Sequence, residues 1–136
     1  MLPTASSSLA SFLLWYNNLM IKSGNVTVMV SDLAKAVDFY TKILGLKLEL
    51  HAKGNWATVT APGLTIGLHP ASEHGPQPGK SESLSIGLEV ENLSKAMEEL
   101  KEKGIKFGYV MDDKEVKLAF FKDPDNNPLY LAQVVK

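Results

Sequence analysis

Few side chains in these 136 residues could do chemistry, and they are scattered. There is no cysteine, which removes disulfides, thiolate nucleophiles and thiolate metal sites. The histidines are His51, His69 and His74. His69 and Glu89, with His51 approaching from a neighbouring strand, could make a metal or acid–base cluster. The competing reading puts both histidines at strand ends facing solvent and Glu89 just before a helix cap. His74, in a proline-rich stretch, reads as solvated. Ser85 has no His–Asp pair near it in sequence, so it is a weak nucleophile. Asp123-Pro124-Asp125-Asn126-Asn127 contains part of an oxygen-rich calcium loop, but the glycine and the distant bidentate glutamate are missing, so it reads as a turn. Trp56, Phe121 and Tyr130 could stack on a planar ligand, or pack on each other or across a subunit interface.

The elements that must position these residues come from an internal repeat. NVTVMVSDLAKAVDFYTKILG, residues 25–45, recurs as LSIGLEVENLSKAMEELKEKG, residues 84–104, with Val30–Ala36 lying over Val90–Ala96. Each copy reads as a strand running straight into a helix that stops at a glycine, Gly45 or Gly104. In the first strand Val26, Val28 and Val30 alternate with Asn25, Thr27 and Met29. Ser31 and Asp32 can cap the helix, whose buried stripe is Leu33, Ala36, Val37, Tyr40, Ile43 and Leu44. Strands are predicted at Lys47–His51, Trp56–Ala61 and Leu64–His69, with turns at Gly54-Asn55 and Pro62-Gly63.

The second copy repeats that order. Ile86, Leu88 and Val90 face the helix, Asn92 caps it, and strands follow near Lys106–Met111, Val116–Phe121 and Leu129–Val134. The expected fold is therefore α+β: two βαβββ modules, 25–70 and 84–134, in one domain of residues 25–136, joined by a linker at 71–83. In both sheets the face away from the helix is small, polar or aromatic: Asn25, Thr27, Trp56, Gly67, His69, Ser85, Glu89, Phe121 and Tyr130. A sheet face without large aliphatics is not a core, so if the sheets curve together this face lines a cavity.

Residues 1–24 form an extension with no charged side chain before Lys22. Leu9, Phe12, Leu13, Tyr16 and Met20 share one helical face, which predicts a short amphipathic helix packed on the domain or on a partner subunit. Alternatively Met20 is the natural start. The apolar run is too short and broken to span a bilayer. A net charge of -1 gives no basic field, so neither nucleic acid nor an anionic membrane is an expected partner. The absence of cysteine fits a cytoplasmic protein.

VMVSDLAKAVDFYTKILGL, residues 28–46, resembles the opening of the vicinal oxygen chelate superfamily, which includes glyoxalase I, extradiol dioxygenases and the fosfomycin- and bleomycin-resistance proteins. FFKDPDNNPLYL resembles that superfamily's last hairpin, which carries a DPDG turn. The resemblance covers Asn25 to about Val134. It implies paired modules forming a U-shaped sheet around a pocket, commonly in a homodimer. The superfamily's enzymes hold a divalent metal with His and Glu on inward strand positions, and those positions fall here at Asn25, Gly67, Ser85 and Tyr130. All four depart from the pattern. An amide oxygen is a weak donor, a hydroxyl is neutral, glycine offers nothing, and tyrosine ligates poorly unless deprotonated.

No metal and no other cofactor is therefore expected at that site. The resemblance implies a protein like the bleomycin-resistance branch, holding a small, flat or aromatic molecule without reaction. Trp56, Phe121 and Tyr130 would stack on it, and Asn25, Thr27, Gly67, His69, Ser85 and Glu89 would line the pocket. One alternative is a divergent lyase or isomerase using His69 and Glu89. Another is an interaction module whose N-terminal helix and aromatics serve oligomerisation.

Overall fold

The computed structural model describes residues 6–52, 54–81 and 83–134. A first helix, α1 (Ser6–Asn17), precedes the repeat. The first module then runs β1 (Val26–Val30), α2 (Leu33–Asp38, continued by a π-helical turn Phe39–Ile43), β2 (Lys47–Ala52), β3 (Trp56–Ala61) and β4 (Leu64–Pro70). The second runs β5 (Ile86–Glu89), α3 (Leu93–Glu102), β6 (Val110–Asp112), β7 (Val116–Lys122) and β8 (Pro128–Val134). Each module makes its own four-stranded sheet, ordered β1-β4-β3-β2 and β5-β8-β7-β6. In each, the first strand is parallel to the last and the remaining pairs are antiparallel.

The repeat is visible down to single hydrogen bonds. Asp32 Oδ1 accepts from the Lys35 amide, and Asn92 Oδ1 from the Lys95 amide, both at 3.0 Å. Gly45 and Gly104 stand at φ 82° and 96°, the left-handed conformation that ends each helix. The π-helical turn has no counterpart in α3. Its wider winding turns the consecutive residues Phe39 and Tyr40 both inward, with ring centroids 5.2 Å apart and edge-to-face.

Alternation along the strands sorts the two faces of each sheet. Val28, Val30, Ala57, Val59, Ile66 and Leu68 are buried under α2, and Ile86, Ala119, Phe121, Leu129 and Leu131 belong to the same continuous core. Phe121 therefore departs from the sequence expectation. It pairs with Leu129, is 4% exposed and meets Phe107 edge-on at 5.5 Å. It is a core residue on the helix side of the sheet.

The strand expected at Lys106–Met111 is regular only over Val110–Asp112. Gly108 and Tyr109 still bond Phe120 across the edge, at 2.7 and 3.0 Å. Just upstream, Ile105 is drawn into the core and the chain leaves the pleat. The N-terminal helix forms as expected, but its apolar residues do not lie against the chain's own core. Leu9, Phe12, Leu13, Leu14, Trp15 and Tyr16 are all exposed, including Leu14 and Trp15 off the expected stripe. With polar residues mainly in its first turn, the helix has no polar face to set against an apolar one.

A polar latch ties the modules together. The Tyr40 hydroxyl, fully buried, donates to Asp123 Oδ2 at 2.8 Å. Asp123, 4% exposed, also accepts from the amides of Asp125 and Asn127 and from Asn127 Nδ2, each at 2.9 Å. Asn127 Nδ2 donates in addition to the Met29 carbonyl on β1 at 3.0 Å, and the Ser31 amide donates to Asp125 at 3.1 Å. The residues read from sequence as a plain turn are thus the contact between the last hairpin and the first strand and helix.

Burial, and then the charges of Asp123 and Asp125, push the Tyr40 phenol well above the ordinary range of a phenol. A phenol that keeps its proton in the folded state and loses it near pH 10 when unfolded stabilises the fold fully below that pH. Above pH 10 it should withdraw about 1.4 kcal/mol of stability per pH unit. Denaturant titrations at pH 9 to 11.5 should show wild type losing stability faster than Tyr40→Phe. Parallel alkaline losses would remove Tyr40 as the cause.

Candidate functional site

The helix-free faces carry most of the residues singled out in the sequence. Directly paired residues on neighbouring strands share a face. On the first sheet Thr27, Gly67 and Thr58 form one such row, with Met29 paired to His69. Gly67 leaves room there for its neighbours. A Cβ at this position would stand 3.2 Å from Asn25 Nδ2 and 3.3 Å from Thr27 Oγ1. An amide and a hydroxyl thus converge over a glycine, a small patch that can exchange hydrogen bonds with a ligand but offers no charge. Trp56 begins β3 on the same face, pairs with Ala52 and is 38% exposed. His69 is exposed, its Nδ1 2.9 Å from the carbonyl of Pro70.

On the second sheet Gly87, Tyr130 and Phe120 form the equivalent row. The Tyr130 ring lies over Gly87 so closely that a Cβ there would fall 2.4 Å from Cζ and 2.5 Å from the hydroxyl oxygen. Phe120 packs against Tyr130 at 5.5 Å between centroids and Tyr109 against Phe120 at 6.0 Å, both pairs tilted, by 39° and 35°. Tyr109, Phe120 and Tyr130 thus make a continuous aromatic row, part of it open to solvent. Ser85, just before β5, and Glu89, paired with Ala132, are exposed on this side.

Sequence reasoning missed Phe120 and Tyr109, having assigned the stacking to Phe121. The signal was present in the hairpin: Phe120 and Tyr130 are equidistant from Asp125, the centre of the turn.

The displaced cluster of His51, His69 and Glu89 does not assemble. His51 pairs with the core residue Ala57, so it points to the opposite side of the sheet from Thr58, Gly67 and His69. Among the described residues no three His, Asp or Glu side chains come together in a way that could hold a metal ion. The four positions where the resemblance implies metal ligands, Asn25, Gly67, Ser85 and Tyr130, divide evenly between the two helix-free faces.

Comparisons with known proteins agree with this fold. A family model described as "Glyoxalase/Bleomycin resistance protein/Dioxygenase superfamily" matches residues 22–131. No curated protein sequence matches the chain at a significant level. Among solved structures, a member of the same superfamily from Sphaerobacter thermophilus is 29% identical, with 85% of this chain and 99% of that one covered and a TM-score of 0.70. TnmS3, an antibiotic binding protein from Streptomyces sp. CB03234, is 27% identical, covering 87% of this chain and 100% of its own, with a TM-score of 0.69. A lactoylglutathione lyase from Agrobacterium tumefaciens shares the fold at 13% identity, over 85% and 96% of the two chains, with a TM-score of 0.66. Among the described residues, no helix is long and apolar enough to cross a membrane.

Proposed function

The chain belongs to the glyoxalase/bleomycin resistance protein/dioxygenase superfamily, and from that premise we propose that it binds a small, flat, aromatic molecule on its helix-free sheet faces without metal catalysis. The observation that carries this reading is the row Tyr109, Phe120, Tyr130, which offers stacking surface and no ionised group. Stacking of this kind contributes affinity, while the polar atoms of Asn25 and Thr27 around Gly67 fix orientation. The antibiotic-binding TnmS3, 27% identical, supports a binder over an enzyme. The donor set points the same way. Asn25, Gly67, Ser85 and Tyr130 provide neither imidazole nor carboxylate where superfamily enzymes carry metal ligands, so the residues present do not fit a catalytic divalent ion.

The working unit in this reading is a homodimer in the cytoplasm. Leu50, Trp56 and Tyr109 are large apolar residues exposed on the open faces. A second copy of the chain would cover them and close the pocket.

Tryptophan fluorescence tests the proposal. The chain has two tryptophans, Trp15 and Trp56, so Trp15→Phe leaves Trp56 as the only reporter. Titration with planar aromatic antibiotics should quench it to a one-to-one endpoint, with no divalent metal retained after purification. Stoichiometric Zn, Ni, Mn or Fe that is lost on His69→Ala would instead establish the lyase or isomerase alternative.

A further inference from the structure

We propose that the protein carries a second ligand site, on the helix side of the second sheet, for a small organic anion with a flat apolar body. A cavity of about 780 Å³ opens there between α2 and the segment leading into β6. Its apolar wall is built by Phe39, Ile43, Ile105, Phe107, Phe121 and Leu129. Phe39, Ile105, Phe121 and Leu129 are core residues, so the floor is fixed by the packing that holds the modules together. The volume is that of an ordinary small-molecule pocket. Asn25, Thr27, Gly67, Ser85 and Tyr130 are all absent from its lining. Tyr109 and Phe120 also contribute to its lining, beside Gly108.

The rim gives the ligand its charge. Lys103, Lys106 and Lys122 are among the lining residues and are exposed, Lys122 with its side chain on the Phe120 side of the sheet by strand alternation. Among the described residues none of the three forms a salt bridge. The ion pairs seen are Lys42–Asp38 and Lys117–Asp112. Lys103 Nζ touches only the Lys42 carbonyl, at 3.5 Å. One acidic residue lines the cavity, Asp123, and its oxygens are already engaged by Tyr40, Asp125 and Asn127.

Two exposed lysines, Lys103 and Lys106, thus border an apolar wall against one internally satisfied carboxylate, in a chain of net charge -1. Such clustering attracts an anion locally whatever the sign of the whole molecule. A small inorganic anion would leave the aromatic floor wet, and a neutral hydrocarbon would leave the ammonium groups unused. An aromatic carboxylate satisfies both.

Isothermal titration of the full-length protein with 1-naphthoate tests this, with 1-naphthalenemethanol and acetate as comparators. Naphthoate should bind more tightly than either, and more weakly as salt rises. Lys103→Gln/Lys106→Gln, both at exposed positions, should weaken it by about tenfold or more, and Lys122→Gln should not. Glycine amide resonances then locate the ligand in the unsubstituted protein: Gly104 and Gly108 line this cavity and should shift, while Gly67 and Gly87 should not. The inference fails if naphthoate does not bind, if the neutral alcohol binds equally well, or if the shifts appear at Gly67 and Gly87.

Discussion

Replacing Asp123 with alanine should remove roughly 3–5 kcal/mol of stability, a large share of what a domain of this size has. The carboxylate is 4% exposed and collects four donors: the Tyr40 hydroxyl, the amides of Asp125 and Asn127, and Asn127 Nδ2. Alanine leaves all four without their acceptor in a site that water barely reaches, and each orphaned donor carries a desolvation cost. Asp123→Asn keeps one oxygen for the two backbone amides but presents an NH2 to two donors, so it should cost less, about 1–3 kcal/mol. Asp125→Ala, which removes the bonds to Ser31 from a partly solvated residue, should be mildest. Chemical denaturation of the three variants gives the order directly. Equal losses for Asp123→Ala and Asp125→Ala would mean that the buried latch contributes nothing particular.

That latch also shows where a sequence stops being readable. The module order, the caps and the helix ends were legible because each is a local rule repeated twice. Asp32 and Asn92 are capping residue types directly before a helical pattern, and both cap. Gly45 and Gly104 are the residues that tolerate a left-handed helix end, and both adopt one. The Tyr40–Asp123 bond, in contrast, joins residues 83 apart in sequence. Nothing local distinguishes an aspartate that closes a turn from one that also receives a buried phenol from another module.

The candidate site was half legible for a related reason. Strand alternation placed Thr27, Gly67, Gly87 and Tyr130 on helix-free faces, because each lies in a strand whose apolar partners mark the other side. Phe120-Phe121 gives no such mark, since both residues are apolar aromatics and one must face each way. Only the register of the hairpin decides, and it sends Phe121 to the core and Phe120 to Tyr130. The cluster reading of His51 failed in the same manner, and the solvent-facing reading fits its exposure: its face depends on pairing with Ala57 beyond a bulge at Glu49, which no pattern in the strand announces. The first helix forms where expected, but a count of apolar residues on one face says nothing of those on the others, and Leu14 and Trp15 are exposed off that stripe.

Gly87→Val should lower affinity for planar aromatic compounds by about tenfold or more, while the fold survives. By strand propensity alone the change would be favourable, since valine suits a strand better than glycine does. The obstacle is specific. The first added carbon would come within 2.4 Å of Tyr130 Cζ, and the three nearest atoms all belong to the far end of the Tyr130 side chain. The nearest obstacle is the ring's far end, so the ring should rotate off the sheet while the strand stays put. That breaks its 5.5 Å packing on Phe120 and removes the centre of the aromatic row. Gly87→Val/Tyr130→Ala separates the two effects. Removing the ring relieves the collision, so the pair should be less destabilised than the sum of its single changes, while binding stays weak. Unchanged affinity in Gly87→Val would show that aromatic ligands bind elsewhere than against Tyr130.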